Sequence, residues 1–302
     1  MKPYRISIFG HLVDGLDTIA DSAQMVTHGL ICGFEKLPHV SIVGKSHANR
    51  DYYGHSIQPC DFIVVHQLFT GQPQPGKEFL FDWDFMRSRC RAILLVLEAS
   101  SRSVGWNFTF QPTGVGNETV VGIPCLKSAM IRVPKDDRAV LLDHGWPEYE
   151  ARGLCLSKRL LAALRPLSNE FALSQLERLY IQGAPWAPSF PPPWLQGIPV
   201  MPFVNYLDVT KHFGTFIVTH AESWGHSVID MAARGIRVVS PRGLLSPTIR
   251  AAVRPLEFDS DAELIAALRT PINHADWDSR INSFVSFDDV CLAIDRNIQG
   301  WI

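Results

Sequence analysis

Short apolar runs rich in β-branched residues recur along the first half of the chain, and the stretches between them leave room for helices. Arg5–Phe9, Val40–Val43, Phe62–Val65 and Ala92–Leu97 read as buried strands, and Asp21–Phe34 is an apolar-rich helix with Ser22 and Gln24 near its start. That alternation is the signature of an α/β domain. Gln72–Gly76 is turn-rich, and Gly105–Gly122, polar with Gly and Asn, reads as a loop covering a cleft. Leu126–Val133 closes this domain and Pro134–Arg138 is read as a linker. The second half begins with a strand at Ala139–Leu142 and a helix from about Glu150 to Leu164. A short strand at Leu179–Gln182 and the loop Gly183–Pro193, stiffened by five prolines, follow. Val200–Val204 reads as a further strand, with Tyr206 and Asp208 at a short helix start. Helices at Ala262–Leu268 and Asp288–Ile298 finish the chain.

The most informative stretch is Thr215–Pro241. Thr215–Thr219 is a strand, His220–Gly225 a loop, Ser227–Arg234 a helix, and Ile236–Ser240 a second strand that Pro241 stops. Gly235 stands where a left-handed helix cap is wanted. One such βαβ unit implies a parallel sheet with a right-handed crossover. The chemistry lies in the loop and the first helical turn. Gly225 lets a ligand approach the backbone closely, and the free amides of His226, Ser227 and Val228 attract phosphate. Glu222 and Asp230 flank this cradle, and carboxylates so placed accept hydrogen bonds from sugar hydroxyls. The plainer alternative is an ordinary βαβ unit whose acids cap a helix and face solvent.

Glu222, seven residues and then Asp230, followed by small residues, a glycine and a strand ending Ser240-Pro241, resembles the E-x7-E motif of the large retaining nucleotide-sugar family of GT-B glycosyltransferases. The resemblance implies an α/β GT-B fold of two Rossmann-like domains whose parallel sheets face a central cleft. Residues 1–135 would form the acceptor-side domain and 136–302 the nucleotide-sugar-binding domain, with the last helix crossing back and Trp301 helping to dock it. It implies that Glu222 meets the donor sugar, that the Gly225–Ser227 backbone, including His226, holds the phosphates, and that Asp230 takes the ribose. Asp230 stands where the family usually has Glu, so its arm is shorter. In such enzymes the loop after the first strand faces the donor phosphates and the acceptor, which points to Gly15 on the donor side and to His11 and Asp14 on the acceptor side. The spacing there is not G-x-G-x-x-G, and a plain strand-to-helix connection is the alternative. His66 closes an Asp61-x4-His66 pattern at a strand end, where it can donate to a sugar hydroxyl or act as a base, so it joins Glu222 as a catalytic candidate. Lys158 or Arg159 would neutralise the leaving diphosphate, or else form an exposed charged pair.

Composition narrows the rest. The chain has 302 residues, 46% of them hydrophobic and 19% charged, with a formal net charge of -2. That describes a soluble globular protein, long enough for two domains, and not a nucleic-acid binder held by bulk charge. No apolar run is long enough to span a membrane, and MKPYRISIFG enters a strand without a signal peptide. Six scattered cysteines without C-x-x-C spacing read as reduced thiols, so the expected address is cytoplasmic. No Asp-x-Asp cluster asks for a metal, and no cofactor is expected beyond a nucleotide diphosphate sugar as donor substrate. The expected activity is sugar transfer to an acceptor hydroxyl on a glycan, a small molecule or a modified nucleic-acid base such as DNA carries. An epimerase or phosphorylase on the same scaffold, or a non-catalytic binding protein, are the alternatives.

Overall fold

The computed structural model describes residues 1–19, 22–47, 55–66, 83–96, 108–111, 119–126, 133–143, 157–176, 192–199, 201–219, 226–279 and 284–302. The chain divides into two compact units, Met1–Leu126 with Val285–Ile302, and Lys127–Phe284.

The first unit carries β1 (Tyr4–Gly10), α1 (Ser22–Glu35), β2 (Val40–His47), β3 (Phe62–Val65), α2 (Trp83–Arg89), β4 (Ala92–Val96), β5 (Phe108–Gln111) and β6 (Thr119–Val120). Its sheet has the order β2-β1-β3-β4-β5-β6, parallel in every described pairing. The inner strands are buried on both faces: all four residues of β3 are buried, and so is all of β1 except Arg5. Such strands read as continuous apolar runs because helices cover both sides of a parallel sheet. Phe9, Ile63, Val65, Met86 and Ile93 form one cluster of this core. The Gly105–Gly122 segment, expected as a loop, contributes β5 and β6 instead. These are short outer strands, and short strands among Gly and Asn leave little pattern to read.

The second unit carries β7 (Asp136–Leu142), α3 (Ser157–Leu164), β8 (Ala172–Leu176), β9 (Gln196–Ile198), α4 (Phe203–Thr210), β10 (Phe213–Ile217), α5 (His226–Ala233), β11 (Arg237–Pro241), α6 (Pro247–Val253), β12 (Leu256–Phe258), α7 (Asp261–Arg269) and α8 (His274–Ser279). Its sheet has the order β12-β11-β10-β7-β8-β9, again parallel throughout. Val140, Leu142, Leu160, Ile217, Val239 and Leu264 share its core.

Two expectations are corrected here, and a third falls outside the described residues. Asp136–Arg138 are not linker but the exposed start of β7, where Asp136 N–H donates to His212 O at 2.8 Å and the charged side chains reach water. Residues 201–204 of the strand expected at Val200–Val204 are not strand, because Phe203 opens α4 after Pro202. The buried positions Phe203, Leu207 and Thr210 recur at helical spacing, and that period outweighs a short apolar run. The strand expected at Leu179–Gln182 lies outside the described residues, and β8 lies upstream of it.

The chain then returns to the first unit with α9 (Phe287–Trp301), opened by a reciprocal cap between Ser286 and Asp289. This helix packs on α1, and glycines set the spacing. A Cβ on Gly29 would stand 2.4 Å from the Phe287 ring, and one on Gly33 2.6 Å from Cys291 Sγ. Tyr4 Oη donates to Asp295 Oδ1 at 2.9 Å, and His39 Nε2 lies 2.8 Å from the same oxygen.

Candidate functional site

Open parallel sheets bind ligands outside the carboxyl ends of their strands, at the point where strand order reverses. Each unit has one such point.

In the second unit the order reverses between β7 and β10. Asp143 follows β7, is fully buried, and donates its backbone N–H to Ile217 O at 3.0 Å. Beside it β10 runs out through Val218 and Thr219, and Val218 N–H is held by Val239 O at 2.9 Å. Residues 220–225, which include Glu222 and Gly225, lie outside the described residues. The chain resumes at His226, the first residue of α5, whose side chain also lies outside them; Ser227 is half-buried. This helix ends in a Schellman motif: Gly235 has φ +79°, its N–H donates to Ala232 O, and Ile236 N–H donates to Met231 O.

Asp230 lies about one turn into α5 and is only 3% exposed. Burial pushes its carboxyl up to about 7, with the Arg234 charge pulling the other way. Its Oδ1 is buried and takes no hydrogen bond from the described residues. The neighbouring cation is spent elsewhere: Arg234 donates to Thr210 Oγ1 at 2.6 Å and, more weakly, to Leu207 O and to the Asp230 main-chain oxygen. Tyr206 on α4 completes the group. Burial pushes its phenol well above the usual range, and the charges of Asp230 and Asp143 push the same way. Asp143, Tyr206 and Arg234 are neighbours of the site that sequence reading missed. Only Asp143 left a signal, as an acid immediately after a strand.

In the first unit the order reverses between β1 and β3. His66 follows β3, is fully buried, and is anchored by its N–H on Phe9 O at 2.8 Å. Its Nδ1 lies 3.2 Å from Thr27 Oγ1 on α1. The same hydroxyl oxygen accepts the backbone N–H of His11 at 3.0 Å. Gly10 is required between them, since a Cβ there would stand 2.6 Å from Thr27 Oγ1 and 3.0 Å from His66 O. Asp14 is exposed, and Gly15 has φ -178°, an extended conformation open to any residue. Structure thus gathers His11 and His66 around a threonine the sequence did not flag, and leaves Asp14 on the surface.

The remaining basic candidates stand on α3. Lys158 is in the helix, its side chain outside the described residues, while Arg159 is exposed and pairs with Asp261 at the start of α7, 3.2 Å away. Among the described residues no group of three or more His, Cys, Asp or Glu is arranged to hold a metal, and no helix is long and apolar enough to cross a membrane.

No family model matches the chain, and no curated protein matches its sequence. Its fold, however, matches solved structures from end to end. AviGT4, a glycosyltransferase of avilamycin A biosynthesis, is 13% identical, with 99% of this chain and 97% of that one covered at a TM-score of 0.61. The fold is GT-B. Sucrose-phosphate synthase from Thermosynechococcus elongatus follows at 11% identity, 98% of each chain and a TM-score of 0.60. A UDP-GlcNAc 2-epimerase from Methanocaldococcus jannaschii, solved with UDP-GlcNAc and UDP, is 12% identical over 98% of this chain and 99% of that one, at a TM-score of 0.55. Both GT-B units of the present chain therefore carry polar, buried side chains at the strand ends where such sheets take ligands.

Proposed function

We propose that this chain is a nucleotide-sugar enzyme, and specifically a glycosyltransferase. It would move a sugar from a nucleotide diphosphate sugar to an acceptor hydroxyl on a glycan, a small molecule or a modified nucleic-acid base. One observation carries the reading: Asp230 holds a buried carboxyl oxygen without a hydrogen-bond partner among the described residues, one turn into the helix that follows the switch-point strand. An acceptor buried in this state is costly until a donor reaches it, and the paired hydroxyls of a ribose are donors of the right chemistry. The amides that open α5 suit the adjoining diphosphate, whose growing charge they stabilise as it leaves. Glu222 would take the sugar hydroxyls and Gly225 the close approach of the phosphates. His66, with His11 near it, would serve the acceptor side, and the reaction so drawn requires no metal. Retention of anomeric configuration belongs to the proposal and rests on the resemblance of the Glu222–Pro241 segment.

A 2-epimerase is the second reading, favoured by the full-length likeness to an enzyme solved with UDP-GlcNAc and UDP. One experiment separates them. A panel of UDP-, GDP- and dTDP-sugars is screened by thermal shift, since a ligand that binds only the folded state raises Tm. The binders are then incubated with and without acceptors, and the products are read by NMR. Glycosyl transfer needs the acceptor and shows its anomeric configuration, whereas epimerisation proceeds without one. A panel in which no nucleotide or nucleotide sugar raises Tm sinks both readings.

A further inference from the structure

We propose that Thr27 is a positioning residue for His66, holding the imidazole by Nδ1 so that Nε2 is the nitrogen offered to substrate. The role of Nε2 rests on the reading of His66 as a group that meets a sugar hydroxyl; the geometry of Thr27 does not. Three elements converge at this threonine. The end of β1 is pressed against it so tightly that only glycine fits at position 10. The loop leaving β1 is tied to it through the His11 N–H, 3.0 Å from Oγ1. The imidazole that follows β3 meets it at 3.2 Å through Nδ1, while the His66 backbone is fixed on Phe9 O. Thr27 and His66 are both fully buried, so water does not compete for the contact. With its backbone and one ring nitrogen held, His66 has a single orientation about its ring, and Nδ1 is committed to the protein. The Thr27 hydroxyl can donate to a bare Nδ1 or accept from Nδ1–H, and whichever it does sets the complementary state at Nε2.

The test uses the full chain labelled with 15N-histidine, in wild type, Thr27→Val, Thr27→Ser and His66→Gln, the last to assign the His66 ring resonances. Valine keeps the shape and removes the hydroxyl, and serine restores it. Wild type is expected to show one neutral tautomer of His66, Thr27→Ser to reproduce it, and Thr27→Val to lose it while melting cooperatively. A wild-type His66 divided between both tautomers overturns the proposal without any variant. So does a folded Thr27→Val whose His66 shifts match wild type. With whichever nucleotide sugar the panel shows to be turned over, Thr27→Val should lower kcat by about tenfold or more with donor KM within about twofold. Thr27→Ser should stay near wild type. Equal losses in kcat and donor affinity for both variants would make Thr27 merely structural. A chain that turns over no nucleotide sugar, yet loses its tautomer in Thr27→Val, upholds the positioning geometry and sinks the glycosyl-transfer reading instead.

Discussion

The guanidinium carbon of Arg234 lies 5.3 Å from the centroid of the Tyr206 ring, so one buried cation stacks on α4 while its charge favours the ionised form of Asp230. The same side chain caps the C-terminal end of α4 through Thr210 Oγ1 and Leu207 O. Arg234 therefore ties two helices of the second unit together and partly offsets the buried acid between them.

The buried acid gives the first prediction. Folding raises the Asp230 carboxyl from the usual carboxylate range to about 7, so the folded chain holds a proton there that the unfolded chain releases. Stability should be fullest below about pH 4 on this account and should fall as pH climbs through about 7. Asp230→Asn, which does not titrate, should flatten that profile and stabilise the ligand-free protein at pH 8, by up to roughly 4 kcal/mol. The same variant should lose about ten- to a hundred-fold in nucleotide affinity if the carboxyl takes a ribose. Chemical denaturation at several pH values and calorimetric titration with UDP check the two halves separately.

Removing the cation should do the opposite. At pH 8, above the Asp230 transition, Arg234→Ala leaves a charged Asp230 without a compensating charge and the Leu207 and Thr210 oxygens of α4 without their donor, and losing hydrogen bonds to a charged group costs about 1.5–3 kcal/mol. Tm should fall steeply, and the loss should be smaller in an Asp230→Asn background, where no buried charge is left behind. Equal losses in the two backgrounds would show that Arg234 acts on α4 alone.

The crossing of α1 and α9 rests on Gly29, whose added Cβ would overlap the Phe287 ring. Gly29→Ala should destabilise by about 1–3 kcal/mol through overpacking. Phe287→Leu should recover part of that loss in the double variant, as a thermodynamic cycle over the four proteins would show.

Gly235 is held at φ +79°, a conformation strained for any side chain. Gly235→Val should lower stability by about 1–2 kcal/mol and leave nucleotide affinity unchanged in the folded fraction. Melting and calorimetry on one preparation test both halves.

How far the sequence showed this in advance differs by element. Phe62–Val65 and the Gly235 cap were legible because a doubly covered strand and a helix terminus each leave a local pattern that needs no partner. Ala172–Leu176 was not, since Ser174 and Gln175 interrupt its apolar character and its place in the sheet comes from pairing between β7 and β9. Asp230 was singled out from its spacing within one βαβ unit, but its burial comes from the packing of other elements around α5, which that spacing does not encode. Thr27, Tyr206 and Arg234 were missed for a different reason: each acquires its meaning from a residue on another element. Thr27 meets His66 across 39 positions, and Arg234 meets Thr210 across 24, distances that no local period can encode. His66 was visible only as a strand end, and the contact that orients it appears once α1 crosses the sheet.

The first unit takes α9 from the far end of the chain, and this order has a consequence during synthesis. A ribosome releases all of β1 through β6, and then the whole of the second unit, before it delivers Phe287 and Cys291. For that interval the nascent first unit carries α1 with its Gly29 and Gly33 groove uncovered, and Tyr4 waits for Asp295. The second unit has no such wait, since its sheet and helices are contiguous and domains fold as they emerge. A chain stopped after Phe284 would therefore damage its beginning and spare its middle.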